Sequence, residues 1–345
     1  MFLPGIGSVV ILLIMATAYS DDVQAAIGLG GSTAAIVTVV ASGFVVTTIR
    51  ARTAGRSLQG ELTGAVGAAM LLLLASIAIA LLSPVLSRSD AGGFFAAYWI
   101  ATIPATALTP IGFVFNGAFQ ALHRDGTNLI TAVTGTLVKA AVAAVVVVLG
   151  VSPLAAVAAV GATTSVASIL GALVRGSQLA RADMISWPMF AAATREALAH
   201  PVAVVRSLGE RAAASVDGLV FLVTFTAAIL VATAHSPADG AVVALSVAVM
   251  RSVIVPLKQF GVVGARFVIA ERGRERADAM RLSTVQTNCF VLLAAIAVAL
   301  TISRLALPVF DQLGWLVIAM MAVQLLIEPW AGVLYSYRKI ALSTA

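Results

Sequence analysis

Six ionisable side chains stand deep inside stretches of sequence that are otherwise apolar, and with one amide, Asn116, they are the residues of this chain best placed to do chemistry. The cations are Lys139, Arg251 and Lys258; the acids are Glu210, Asp217 and Glu328; the amide is Asn116. Lys139 stands twelve residues into an apolar run, about 18 Å along a helix. A bare ammonium at that depth costs about 3 kcal/mol on insertion scales, so it must face protein or a wet cavity. A structural ion pair with an acid on a neighbouring helix is the alternative. Three cations and three acids could close such a network, or they could line a polar cavity that accepts zwitterionic or anionic molecules.

The stretch from Pro201 reads PVAVVRSLGERAAASVDGLVFLV, and spacings of four and seven put Arg206, Glu210 and Asp217 on one helical face. Arg206 and Glu210 form an i,i+4 pair and partly neutralise each other. Arg206, Arg211 and Arg266 stand near the ends of apolar stretches and can snorkel. Exchange coupled to protons requires a carboxyl group that gains and loses a proton near ambient pH, which desolvation and a nearby cation can arrange together. Glu210, Asp217 and Glu328 are the candidates for such a coupling ion site; Lys139, Asn116, Arg251 and Lys258 are the candidates to line a cavity. Neutralisation of Glu210 and Asp217 by Arg251 or Lys258 is the structural alternative.

Other chemistries lack their residues. One cysteine, Cys289, supplies neither a disulfide framework nor a thiolate metal site, and the three histidines have no ligand spacing. The glycines at 28, 30 and 31 are not followed by Lys-Ser/Thr, so no phosphate-binding loop is present to drive an ATP-powered pump. No catalytic residues, metal or cofactor are expected.

The elements that must position these residues are membrane helices. The 345 residues are 61% hydrophobic and 10% charged, with a mean hydropathy of +1.05, which is outside the soluble globular range. The net charge of +6 does not indicate nucleic acid, because the basic residues stand at the ends of apolar runs rather than in one patch. Ten runs are long enough to cross about 30 Å of hydrocarbon: 3–20, 25–49, 62–86, 94–121, 127–149, 152–178, 201–232, 239–269, 284–306 and 312–337. The connections after the even-numbered runs hold thirteen Lys and Arg, among them Arg52, Arg56, Arg175, Arg181, Arg272 and Arg274. The other side holds only Arg88 and Arg304. The positive-inside rule therefore puts both termini in the cytoplasm.

Weak internal repetition divides the runs. Gly43, Gly55 and Arg56 recur as Gly261, Gly273 and Arg274 at an offset of 218, and Pro110 recurs as Pro329 at 219. Duplicated transporter folds have this property. The expected organisation is an all-α, polytopic membrane protein with about ten transmembrane helices. Residues 1–178 form a six-helix lobe, 179–200 a cytoplasmic connection, and 201–345 a second lobe showing four helices. Pro104, Pro110, Pro256 and Pro329 free backbone carbonyls within runs, and Gly28, Gly30, Gly31, Gly112 and Gly117 read as close helix contacts.

Taken in order, these features resemble the multidrug and toxic compound extrusion (MATE) family. Run 2 ends in the turn Thr53-Ala54-Gly55-Arg56. Run 4 ends in Asn116-Gly117 and the turn Arg124-Asp125-Gly126-Thr127. Run 6 opens after Gly150-Val151, and run 7 starts at Pro201 with an acid about two turns on, Glu210. The resemblance covers runs 1 to 10, and against it the last two helices of the family pattern are missing. Where the family places an aspartate in helix 1, this chain has Ala16-Thr17-Ala18-Tyr19; where helix 5 carries Asn and then Asp, it has Lys139 and Ala143.

The resemblance implies a secondary transporter, not an enzyme, that exports small organic molecules such as drugs or metabolites by alternating access, in exchange for H+ or Na+. Its partners would be the lipid bilayer and that small substrate, with no nucleic acid, and it would act as a monomer in the plasma membrane. Two other readings are a lipid-linked saccharide flippase of the same superfamily and a degenerate paralogue that does not transport. The topology has a direct test. A cysteine substituted at Arg274 should resist an impermeant thiol reagent added from outside, whereas one at Asp90 should react; the opposite pattern would invert the orientation.

Overall fold

Hydrocarbon offers no water to backbone amides, so a long apolar run can cross it only as a helix or as part of a closed barrel. The computed structural model takes the helical solution, and it describes residues 3–86, 90–122, 125–213, 216–249 and 251. The helices are α1 (Leu3–Ala16), α2 (Asp21–Ala41), α3 (Gly43–Thr53), α4 (Gln59–Leu86), α5 (Asp90–Ala121), α6 (Asp125–Val148), α7 (Pro153–Arg181), α8 (Trp187–Ala199), α9 (Pro201–Ala213) and α10 (Val216–His235). A further apolar helix, α11, runs over Pro237–Val249. No strand occurs among the described residues. Among the described residues, five segments are long and apolar enough to span a bilayer: Asp21–Thr53, Gln59–Ser83, Ala91–Ala121, Gly126–Val148 and Pro153–Arg181. The chain is an all-α, polytopic membrane protein, as its hydropathy predicts. Val10–Ala244 form one compact unit, and the packing below is that of this unit.

The structure adds local detail to two stretches. Run 2 is a single span, and it changes from α2 to α3 at Ser42, whose N–H and hydroxyl both donate to the carbonyl of Val39. Residues 179–200 contain the thirteen-residue α8. The Ser186 hydroxyl caps α8 by accepting from the N–H of Met189, and Ala193 and Ala197 are buried against the bundle. Phe190 meets Phe115 edge to face at 6.2 Å, and the Thr63 hydroxyl of α4 donates to Glu196 at 3.0 Å.

α5 is the helix around which the others are arranged, with α2, α3, α4 and α7 all packed on it. Burying a leucine gains little where the surroundings are already hydrocarbon, so close backbone approach and interhelical hydrogen bonds must hold such a bundle. Both are seen along α5. Trp99 is fully buried, donates its indole N–H to the Ser76 carbonyl of α4 at 2.9 Å and stacks on Phe95. Glycines admit its neighbours. A Cβ at Gly30 of α2 would overlap the Tyr98 ring, and one at Gly161 of α7 would come within 2.7 Å of the Tyr98 carbonyl. On the other side of the bundle, α4 and α10 expose Leu74, Leu81, Leu82 and Val231, which suits lipid contact.

The turns follow local chemistry. Gly55 ends α3 with φ of +71°, a left-handed conformation that glycine adopts without strain, and the Arg56 N–H closes the turn on the Ala51 carbonyl at 2.8 Å. Gly150 does the same after α6 at φ +59°. There the Tyr19 hydroxyl, arriving from the end of α1, shares its proton between the carbonyls of Val146 and Val151. Ser236 caps α11: its hydroxyl accepts from the Asp239 N–H and donates to the Asp239 carboxylate. Hydrogen bonds from His235 and Ser236 hold that exposed carboxyl below the usual range.

The glycine contacts make a stability prediction. A Cβ at Gly117 would stand 2.7 Å from the Val45 carbonyl oxygen and 2.8 Å from Thr48 Cβ, so Gly117→Ala should cost about 1–3 kcal/mol by forcing α3 off α5. Gly60 of α4 has open space around it, and Gly60→Ala should be neutral or gain up to about 1 kcal/mol through helix propensity. Thermal unfolding in detergent compares the two directly.

Candidate functional site

The polar groups of the first six runs are arranged at two depths. The upper group lies where α5 and α7 cross. Pro104 has no N–H, so the helical hydrogen-bond ladder of α5 is interrupted there. The Ser165 hydroxyl of α7 enters beside it, donating to the Ala101 carbonyl at 2.6 Å and accepting from the Ala105 N–H at 3.3 Å. Thr102 and Thr106 bond to carbonyls within the same helix, at Trp99 and Thr102. The Ser165 hydroxyl thus ties the Ala101 carbonyl and the Ala105 N–H of α5 to α7.

Lys139 occupies a comparable depth on α6. It shares a face with Asn128, Gly135, Ala143 and Val146, at helical spacings of four and seven. That face meets α7, since a Cβ at Gly135 would lie 3.5 Å from Ala167 Cβ. Ala143 and Val146 are buried on it. Lys139 is half-buried, and among the described residues it has neither an acidic partner nor a hydrogen-bond acceptor. Facing protein rather than lipid is what its cost of insertion requires.

The lower group is centred on Arg175 of α7. Its Nε donates to the Gly171 carbonyl one turn back at 2.8 Å, and its Nη1 donates to Asn116 Oδ1 of α5. Gly112 and Gly171 make room for the guanidinium; Nη2 is 3.7 Å from where a Cβ at Gly112 would be. Asn116, expected to line a cavity, thus accepts a charge-assisted bond that clamps α5 to α7. Arg175, counted by sequence with the cytoplasmic connection, is instead a half-buried residue inside a helix that continues to Arg181. Its spacing of four from Gly171 and eight from Ala167, a stripe of small residues, is the sequence signal that marks it as facing another helix. Arg175 and Lys139 belong to different sites: antiparallel pairing of α6 and α7 puts Lys139 opposite residue 163, about 18 Å along α7 from Arg175.

On the other side of the unit, the Ser32 hydroxyl of α2 and the Thr226 hydroxyl of α10 lie 2.9 Å apart. Val204 of α9 fills the space over Gly67 of α4, where a Cβ would overlap it. Glu210 is placed in α9 and Asp217 in α10, with both side chains outside the described residues. Arg206 is exposed, in keeping with a snorkelling cation. Arg251 is half-buried at the end of the described chain, and Lys258 and Glu328 lie outside it. Among the described residues no group of His, Cys, Asp and Glu could hold a metal ion. The sequence reading missed Ser165 and Asn128 as well as Arg175, because a serine or asparagine in an apolar run carries no signal of what it meets across the bundle.

By sequence, no family profile and no curated protein matches the chain. By fold, it is similar to solved MATE transporters. One is an inward-facing multidrug resistance MATE family transporter of the MOP superfamily, with a TM-score of 0.63 and 15% identity, covering 99% of this chain and 83% of that one. Another is the eukaryotic MATE transporter AtDTX14, with a TM-score of 0.67 and 14% identity, covering 97% of this chain and 78% of that one. The fold is that of the MATE transporters.

The two polar groups should respond oppositely to removal. Asn116→Leu takes the acceptor from a half-buried guanidinium and should destabilise the fold by about 2 kcal/mol. Lys139→Met removes a cation that has no partner among the described residues and should leave stability unchanged or raise it. Chemical or thermal unfolding in lipid nanodiscs separates the two, and a large loss of stability in Lys139→Met would contradict its placement.

Proposed function

We propose that this protein is a secondary transporter that moves small organic molecules across the plasma membrane by alternating access, driven by a gradient of H+ or Na+. The observation that supports the reading best is the fold, which follows solved MATE transporters over nearly the whole chain. Membrane helices interrupted by proline and joined through small residues are built for rigid-body rearrangement rather than covalent chemistry. Both termini are taken to be cytoplasmic, and the positive-inside distribution supports that orientation.

Coupling is assigned to the carboxylates. Runs 1 and 5 hold no acid, so an ion can be carried at depth by Glu210, Asp217 or Glu328. Glu210 is the first choice, because it stands where the MATE pattern has its helix 7 acid and because Arg206, one turn earlier, can tune its protonation. Lys139, half-buried without an acid, is assigned to the wall of the transport cavity. A substrate that is anionic or zwitterionic would suit that ammonium better than an organic cation.

Glu210→Gln keeps the shape of the side chain and removes its titratable proton. In reconstituted vesicles this variant should lose gradient-driven export at least about 100-fold, taking general acid-base contributions as a guide, while substrate binding stays within a few-fold of the parent. Asp217→Asn should have a smaller effect. Export equal to the parent at every imposed pH and sodium gradient would make Glu210 structural and move the coupling site to Asp217 or Glu328.

A further inference from the structure

We propose that Arg175 and Asn128 form a binding site for a phosphate oxyanion at the inner edge of the hydrocarbon, between α5, α6 and α7. The proposal is independent of transport. It begins with a donor inventory. A guanidinium has five N–H donors. At Arg175 one is used on the Gly171 carbonyl and one on Asn116 Oδ1, and no carboxylate pairs with it among the described residues. Both partners are neutral, so neither compensates the charge. Nη2 stands 3.7 Å from where a Cβ at Gly112 would be, so the glycine leaves space beside it, and the residue is still partly exposed.

Asn128 supplies a second, independent observation. Its Oδ1 and Nδ2 are both buried and neither has a hydrogen-bond partner. An amide orphaned at both ends costs several kcal/mol unless something satisfies it. The register of the helices brings it level with Arg175. The Thr127 hydroxyl donates to Gln178 Oε1 at 3.0 Å, and Gly135 faces Ala167. These contacts fix α6 antiparallel on α7, so Asn128 lies within about one turn of Arg175 along the helix axis.

Depth and surroundings indicate the ligand. Arg175 is 22 residues beyond Pro153, the first residue of α7, about 33 Å along the helix. With a hydrocarbon layer of about 30 Å, that is where the far leaflet's phosphates begin. Leu129, Ile130, Leu170 and Val174 are exposed around it, a surface that suits acyl chains. A guanidinium matches the fork of a phosphate, the Asn128 Nδ2 can donate to a further phosphate oxygen, and its Oδ1 can accept from a headgroup hydroxyl. The chemistry is shared by an anionic lipid headgroup and by free phosphate, so the test must separate them.

The unfolding temperature of the full chain is measured in nanodiscs of phosphatidylcholine, in nanodiscs containing phosphatidylglycerol, and in phosphatidylcholine with millimolar inorganic phosphate. Phosphatidylglycerol should raise it by about 3 °C. If the source is a lipid, inorganic phosphate leaves the value unchanged; if it is a free anion, inorganic phosphate reproduces the rise. Arg175→Gln should abolish the rise and Arg175→Lys should keep part of it. Should Arg175→Gln fail to fold, Asn128→Leu decides: it should be at least as stable as the parent in phosphatidylcholine yet gain less from the anion. An undiminished rise in Asn128→Leu or Arg175→Gln overturns the site, and so does the absence of any rise in the parent with either phosphate source.

Discussion

Every backbone N–H and C=O that a helix interruption frees inside a membrane must find a partner in the protein, and much of this structure follows from meeting that demand along α5. Proline at position 104 opens the ladder, and Ser165 stands across it with a single hydroxyl. That bond fixes α7 against α5. The depth so fixed brings Gly161 under the Tyr98 carbonyl and Arg175 to Asn116. A helix already interrupted at a proline can bend there with little further loss of backbone hydrogen bonding, which suits the rearrangement that the proposed function requires.

Charge is divided unevenly along the chain. Runs 3 to 6 carry Lys139 and Arg175 at depth with no acid beside either among the described residues, while the deep acids Glu210, Asp217 and Glu328 all come later in sequence. Uncompensated cations in a low-dielectric medium attract anions, so the two halves are suited to different tasks. Under the proposed function the early half would present positive groups to a substrate or headgroup, and the later half would hold groups able to carry a cation. Lys139 and Arg175 stand at separate depths, about 18 Å apart along the helix axis.

Much of the architecture was legible in the sequence because hydrophobic run length is a direct physical requirement of crossing a bilayer. The spans at 62–86, 94–121, 127–149 and 152–178 reappear as α4 to α7 within a few residues. Gly30 and Gly117 were readable as close contacts, and Gly55 as a turn. What was not legible depends on partners distant in sequence. Ser165 and Asn128 look like ordinary polar residues until α5 and α6 are beside them. α8 is hidden in a stretch that is more polar than the runs and carries a proline, because its docking side is only two alanines and Phe190. Arg175 was assigned to a loop by counting charges at run ends, a rule that concerns topology and is blind to the face of the helix on which a charge stands. For the candidate site, residue type and depth mark Lys139 and Asn116 as polar groups in apolar runs, but they do not show that Asn116 meets Arg175 across the bundle.

The account stands on movement between two lobes, and the most direct test needs no substrate. Spin labels at Arg56, in the turn after α3, and at Arg274, its counterpart by internal repetition, would report the separation of the two proposed lobes. Alternating access predicts a distance distribution with two populations whose ratio shifts when pH or sodium is changed, and that Glu210→Gln locks in one of them. A single distribution, the same under every condition and in the variant, would contradict transport by this mechanism and favour a protein with a fixed structural role.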